Sequence, residues 1–248
     1  MQLFFVGGAA RALAYAGLLR AFEERGVEVS SVQGSSGGAV IAALRAFRRL
    51  DQAEALFSEI AETLHRHRLA IFFRRRLKAS VLAELYGRLL PGMMIEDAVL
   101  PLGVTAWNMN SAQHEVLETG SVSAALAAST AVPGLVRPMT IGQARWRDWP
   151  VAPPLDWTRS PKGFSGRRVV FITHGQNEPE PGRRRPYRWE SWLGVNQFLD
   201  AAVQAKQALL TQEADIHLIE VPNSRAFSPR TFKTAFEAGY AFGRDFEI

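Results

Sequence analysis

Cysteine is absent from this chain of 248 residues, which excludes disulfides, thiolate nucleophiles and cysteine-based zinc sites. No run of about 18 apolar residues occurs, so no helix is expected to span a bilayer. The two common phosphate cradles are missing as well. Counting from Gly8, Ala10 and Leu13 stand where G-x-G-x-x-G needs glycine, and no Walker lysine follows. Histidine is scarce, at five, and net charge is modest, at +5. What remains is a chain 47% hydrophobic and only 21% charged. That composition buries a large core and excludes a disordered or fibrous protein. No cofactor and no metal are expected. Residues 3–16 are apolar or small, but no basic region precedes them and Arg11 interrupts the run. A cytoplasmic location is therefore expected.

The basic residues are unevenly placed. Arg66, Arg68, Arg74, Arg75, Arg76 and Lys78 form one cluster, and Arg183, Arg184, Arg185 and Arg188 a second. Such clusters suit anionic lipid, nucleic acid or plain solvation. No nucleic-acid recognition motif accompanies them, so no nucleic-acid partner is expected. In the first cluster Ile71, Phe72 and Phe73 interrupt the cations. One reading is a lid that inserts these three residues into a lipid surface, peripheral to the membrane; the plainer one is a helix end packing its aromatics inward.

Hydrophobic patterning orders the chain. Residues 3–6 form a short apolar run stopped by Gly7-Gly8, which suits a buried strand. Residues 12–25 have a helical period and end at Gly26. A second strand is predicted over 27–33 and a helix over 39–50, so the chain opens βαβα, the signature of parallel strands in an α/β sheet. Helices are expected over 51–68 and 78–90. Hairpins follow around Asn110-Ser111-Ala112 and Gly142-Gln143. A short helix over 121–130, capped by Ser121, lies between them. A strand over 168–173, a helix over 196–212, a strand over 215–221 and a closing helix over 231–246 complete one domain, 1–248.

The chemistry concentrates at two turns. Gly34, Ser35, Ser36, Gly37 and Gly38 fit G-x-S-x-G between a strand and a helix. There a tight turn with glycine-sized flanks exposes Ser36 Oγ at a helix N-terminus. The plainer reading is an ordinary glycine-rich turn. Gly7, Gly8, Ala9, Ala10 and Arg11 follow the first strand and open the first helix. Parallel pairing would bring their N–H groups beside Ser36 as an oxyanion hole. A serine nucleophile needs a base. Of the histidines, His174 ends a strand where a triad histidine could sit. Asp148, after the strand over 144–146, is the other candidate; on spacing alone it reads as a turn aspartate.

Three segments together, GGAAR (7–11), AFEERGV (21–27) and GSSGGAVIAAL (34–44), resemble the patatin-like phospholipases. The resemblance continues in Ala127-Ala128-Ser129-Thr130-Ala131-Val132-Pro133, in Asp148 after a short hairpin with Pro150 and Pro153 beyond it, and in the closing AFEAGYAFGRDF. It implies a single-domain, three-layer α/β/α fold with a mostly parallel central sheet. It also implies a serine acyl hydrolase that needs no cofactor, with Ser36 as nucleophile, Asp148 as base and lipid acyl esters as substrates. Trp149 stands in place of the family's glycine after the aspartate, and Ala9 and Ala10 thin the glycine loop. At a position needing φ > 0 either residue type would carry strain. Three alternatives follow: a degenerate binding or regulatory module, an α/β-hydrolase-type esterase with a Ser36–Asp148–His174 triad, and an acyltransferase of related architecture. Residue 36 comes early for that second fold.

Overall fold

The opening apolar run forms β1 (Gln2–Val6), and the two faces of this strand feed two different cores. The computed structural model describes residues 1–73, 76–151, 166–175, 195–212, 215–224 and 228–248. Arg74, Arg75, Pro153 and the basic cluster over 183–188 therefore lie outside the described residues.

Beside β1 stand β2 (Ser31–Ser35), β3 (Leu102–Asn108), β7 (Arg168–Gly175) and β8 (Ile216–Val221), all parallel in the order β3-β2-β1-β7-β8. Antiparallel pairing adds β4 (Gln113–Leu117) on β3, and β5 (Met139–Ile141) with β6 (Ala144–Arg147) beyond it. Leu3, Phe5, Val169 and Phe171 point into the larger core, while Phe4, Val170 and Ile172 point into the smaller. Apolar residues in both phases of a period-two repeat mark a sheet covered on both faces. The helices α1 (Leu13–Glu24) and α2 (Gly37–Ala46) lie on the first face. Leu209, from α7 (Asn196–Leu210), completes the second. Between α2 and β3 come α3 (Ala53–Arg66), α4 (Arg68–Phe72) and α5 (Ala79–Leu89). The short α6 (Val122–Ser129) follows β4, with the Ser121 hydroxyl capping Ala124 N–H.

Two boundaries differ from the sequence reading, each for a local reason. β2 begins at Ser31, not at residue 27. Gly26, at φ 67°, ends α1 in a Schellman motif that occupies Val27 N–H with Phe22 C=O at 2.9 Å. Helix α2 stops at Ala46 rather than 50 because Arg48 takes φ 56° and Arg49 N–H returns to Leu44 C=O at 2.7 Å. This is the same motif without the glycine that would announce it.

The last helix, α8 (Thr231–Asp245), packs directly on α1. A Cβ on Gly239 would stand 1.7 Å from Ala14 C=O, and one on Gly17 2.0 Å from Phe236 C=O. The two backbones touch, which only side-chain-free positions allow. Gly239→Ala should therefore lower the unfolding free energy by about 2 kcal/mol or more. Chemical denaturation reads this, and an unchanged midpoint would contradict the contact.

Candidate active site

Ser36 is the turn between β2 and α2, with φ 52° and ψ −129°. A non-glycine residue held there stores on the order of 1–3 kcal/mol of strain. Its neighbours explain why the turn can be so sharp. A Cβ on Gly38 would meet Phe5 C=O at 2.2 Å, and one on Gly34 would meet Gly38 C=O at 2.4 Å. Gly37 packs as closely on the other turn, with Ala9 C=O 2.9 Å from the place of its missing Cβ. The Ser36 hydroxyl does not cap α2; it stands near enough to the carboxylate of Asp148 to lower its pKa.

Asp148 follows β6 and is 3% exposed. Burial raises its pKa from 3.8 to about 7, against the lowering effect of the Ser36 hydrogen bond. One of its oxygens, Oδ2, has no partner among the described residues. The end of α6 holds both members of the pair. Ser36 N–H donates to Ser129 Oγ at 2.8 Å, and that hydroxyl donates to Thr105 C=O at 2.7 Å. Two residues on, Ala131 C=O accepts from Asp148 N–H at 3.1 Å. Sequence reasoning did not assign Ser129 this role. A serine inside a small-residue helix carries no signal for it.

The loop after β1 is divided in use. Gly7 N–H is committed to Ser35, reaching its C=O and its Oγ at 3.1 Å each. Gly8, at φ 105°, and Ala9, at φ 46°, turn the chain beside Ser36, so the alanine does occupy a left-handed position. Trp149 does not, because no positive φ is recorded there. Its ring lies 6.1 Å from Trp107 and 6.3 Å from Phe198, with the Arg147 guanidinium 4.5 Å above it.

Ser36 opens on two cavities. One is apolar, lined by Ala10, Val40, Phe57, Leu64, Leu82 and Val136 among others. The second carries Arg11, Asp148, Trp149, Thr173 and Lys206. None of the five histidines lines either. His174 Nδ1 lies 2.7 Å from Lys206 Nζ, His114 contacts Trp149 C=O at 3.2 Å, and His217 contacts Asp215 at 2.6 Å. Of the three residues in the proposed lid, Ile71 is buried, Phe73 is 71% exposed, and the Phe72 side chain lies outside those described. Among the described residues no group of His, Asp and Glu could hold a metal, and no helix is long and apolar enough to cross a membrane.

The chain has counterparts among known proteins. The sequence profile of the patatin-like phospholipases matches residues 3–148, more than half of the chain. This chain belongs to the patatin-like phospholipase family. Uncharacterized NTE family proteins of Mycobacterium bovis and of two Mycobacterium tuberculosis strains are each 25% identical to it over 193 residues. The match covers 75% of this chain and 52% of theirs, so the chain spans about half the length of these relatives. VipD from Legionella pneumophila has a similar fold, with a TM-score of 0.54 at 13% identity over 98% of this chain and 65% of that one.

The buried carboxylate has a measurable consequence. Between about pH 4 and pH 7 the folded chain keeps a proton on Asp148 that the unfolded chain has released. The unfolded state then binds fewer protons, so stability falls as pH rises through that window and stays lower above it. Three pKa units correspond to at most about 4 kcal/mol. Asp148→Asn removes this slope. The variant should gain stability relative to wild type on going from pH 4 to pH 8, read by chemical denaturation. An equal difference at both pH values would contradict the shifted carboxyl.

Proposed function

We propose that this chain is a serine acyl hydrolase of lipid esters that works through a Ser36–Asp148 dyad. The observation that carries the reading is the pair itself: a strained serine beside a buried, raised-pKa aspartate, set between an apolar and a polar cavity. The acyl chain lies in the apolar cavity, which places the ester carbonyl at Ser36. As Oγ attacks, Asp148 takes its proton; a carboxylate with a pKa near 7 accepts it efficiently at neutral pH. The carbonyl oxygen becomes an oxyanion facing the N–H groups of Gly8 and Ala9, at the positive end of the helical turn that opens there. When the C–O bond breaks, Asp148 returns the proton to the departing alcohol. Water then attacks the acyl-enzyme with Asp148 as base, releasing the fatty acid and restoring the Ser36 hydroxyl. The Trp149 ring packs among Trp107, Phe198 and Arg147 while Asp148 stays beside Ser36. This favours an active enzyme over a degenerate module. His174, held by Lys206, has no part in the proton transfers.

The lipid surface is met at α4. Leu69 and Phe73 lie four residues apart on one helical face and are 66% and 71% exposed, whereas Ile71 points inward. No acidic residue occurs between Glu62 and Glu84, a stretch that holds the whole first basic cluster. Helix α4 is also tied to the apolar cavity at both ends. Leu64 of α3 lines that cavity, and Leu77 pairs with Val136, which lines it too. A bilayer with anionic lipid therefore meets exposed apolar side chains, flanking cations and the acyl cavity along one edge.

Hydrolysis of a chromogenic acyl ester tests the chemistry. Ser36→Ala and Asp148→Asn should each lower kcat by at least about a thousandfold, whereas His174→Ala should stay within about threefold. A dead His174→Ala beside an active Asp148→Asn would contradict the dyad. For the surface, Leu69→Ser/Phe73→Ser should weaken binding to anionic vesicles about tenfold or more, with thermal stability preserved. Unchanged vesicle binding would contradict the assignment.

A further inference from the structure

The apolar cavity stops at one side chain. Phe232, the second residue of α8, lines both this cavity and a separate groove. The helices show that the two spaces are consecutive sections of one passage. On α3, Leu64, Ile60 and Phe57 line the cavity, and Ala53, one turn before Phe57, lines the groove. On α8, Phe236, one turn beyond Phe232, again lines the groove. Ala10 lines the cavity with Ser36, and Leu13, three residues on, lines the groove. What separates the sections is a ring pair. Phe57 and Phe232 meet edge to face with centroids 6.3 Å apart, and both are buried. Beyond the pair the lining changes character. Arg20, Glu23, Arg45, Arg48, Asp51 and Glu54 all border the groove, so a hydrocarbon end gains little by passing into it. On the cavity side, the stretch of α3 from Phe57 to Leu64 runs about 10 Å at the helical rise, too short for an extended palmitoyl chain.

We propose that Phe232, seated against Phe57, is the stop of the acyl cavity and makes the site favour octanoyl and lauroyl groups over palmitoyl. This selection rests on the hydrolase reading above and concerns the acyl side of the same site. With the carbonyl at Ser36, the terminal methyl of the shorter chains reaches the ring pair and every methylene is enclosed. A longer chain leaves its last carbons outside that enclosure, or it forces the rings apart toward the charged groove. Phe232 takes no part in the proton transfers, so shortening it changes which chain fits and leaves the chemistry in place.

The test compares kcat/KM for the p-nitrophenyl esters of butyrate, octanoate, laurate and palmitate, all dispersed in one nonionic detergent. Wild type should prefer octanoate or laurate over palmitate about tenfold or more. Phe232→Ala, and Phe232→Leu as the variant that keeps more of the packing, should raise the palmitate-to-octanoate ratio. The rise in Phe232→Ala should be about tenfold, the worth of roughly two newly enclosed methylenes. Phe22 is also buried but lines neither space; Phe22→Leu should lower stability and leave the ratio where it is. A wild-type rate that holds level or rises through palmitate overturns the stop. So does a ratio unchanged in both Phe232 variants, or one moved equally by Phe22→Leu; all three results leave the hydrolase reading standing. Absence of hydrolysis from every ester overturns the hydrolase reading instead. Calorimetry with octanoate and palmitate then decides the stop: a palmitate-to-octanoate affinity ratio raised by Phe232→Leu supports it, and an unchanged ratio or no binding overturns it.

Discussion

The arrangement depends on the end of one short helix. Ser129, the last residue of α6, accepts from the Ser36 N–H and donates its own O–H to Thr105 C=O, while Ala131 C=O accepts from the Asp148 N–H. One turn of backbone therefore sets the spacing between a serine on β2–α2 and an aspartate after β6, residues 112 positions apart in the chain (148 − 36). The clamp also offsets a local cost. Ser36 sits in a backbone region that L-residues avoid, and it persists there because the surrounding hydrogen bonds and the glycine contacts over-determine it. With the backbone held in this way, the side chain is directed at Asp148 rather than back onto its own helix.

Burial then sets the chemistry. In water Asp148 would be a weak base, ionised far below neutrality. Enclosed beside Ala131 and the elbow, it is raised to about 7, and the Ser36 hydroxyl keeps it from rising further. The same enclosure that makes the pair useful lowers the stability of the fold at neutral pH, a common bargain at sites built to move a proton. The two cavities differ in polarity. Ala10 lines the apolar one and Arg11 the polar one, so adjacent residues of one loop mark the boundary between them.

Much of the fold was legible because its signals are local and steric. The glycines at 34, 37 and 38 announced a turn too tight for side chains, and contacts of 2.2–2.9 Å at their missing Cβ atoms show why. The apolar run of β1 read as a buried strand, and both faces of β1 and of β7 are covered. Less visible were features whose cause lies elsewhere in the chain. Arg48 takes a left-handed cap without being glycine, so the end of α2 could not be read from residue type. Helix α4 is five residues long, below the length at which periodicity shows. Ser129 acquires its role only when α6 is brought against the β2–α2 turn, and no spacing rule links residues 36 and 129. Gly7 read as an oxyanion donor, but its N–H is spent on Ser35, a commitment that only strand register reveals.

The most direct test of this account is the crystal structure of the protein after reaction with a long-chain alkyl fluorophosphonate. The account predicts phosphorus bonded to Ser36 Oγ and the phosphonyl oxygen on the N–H groups of Gly8 and Ala9. It also predicts Asp148 still beside the serine, with the alkyl chain among Val40, Phe57 and Leu82. Phosphorus on another residue, or an alkyl chain running toward Lys206 instead, would contradict it.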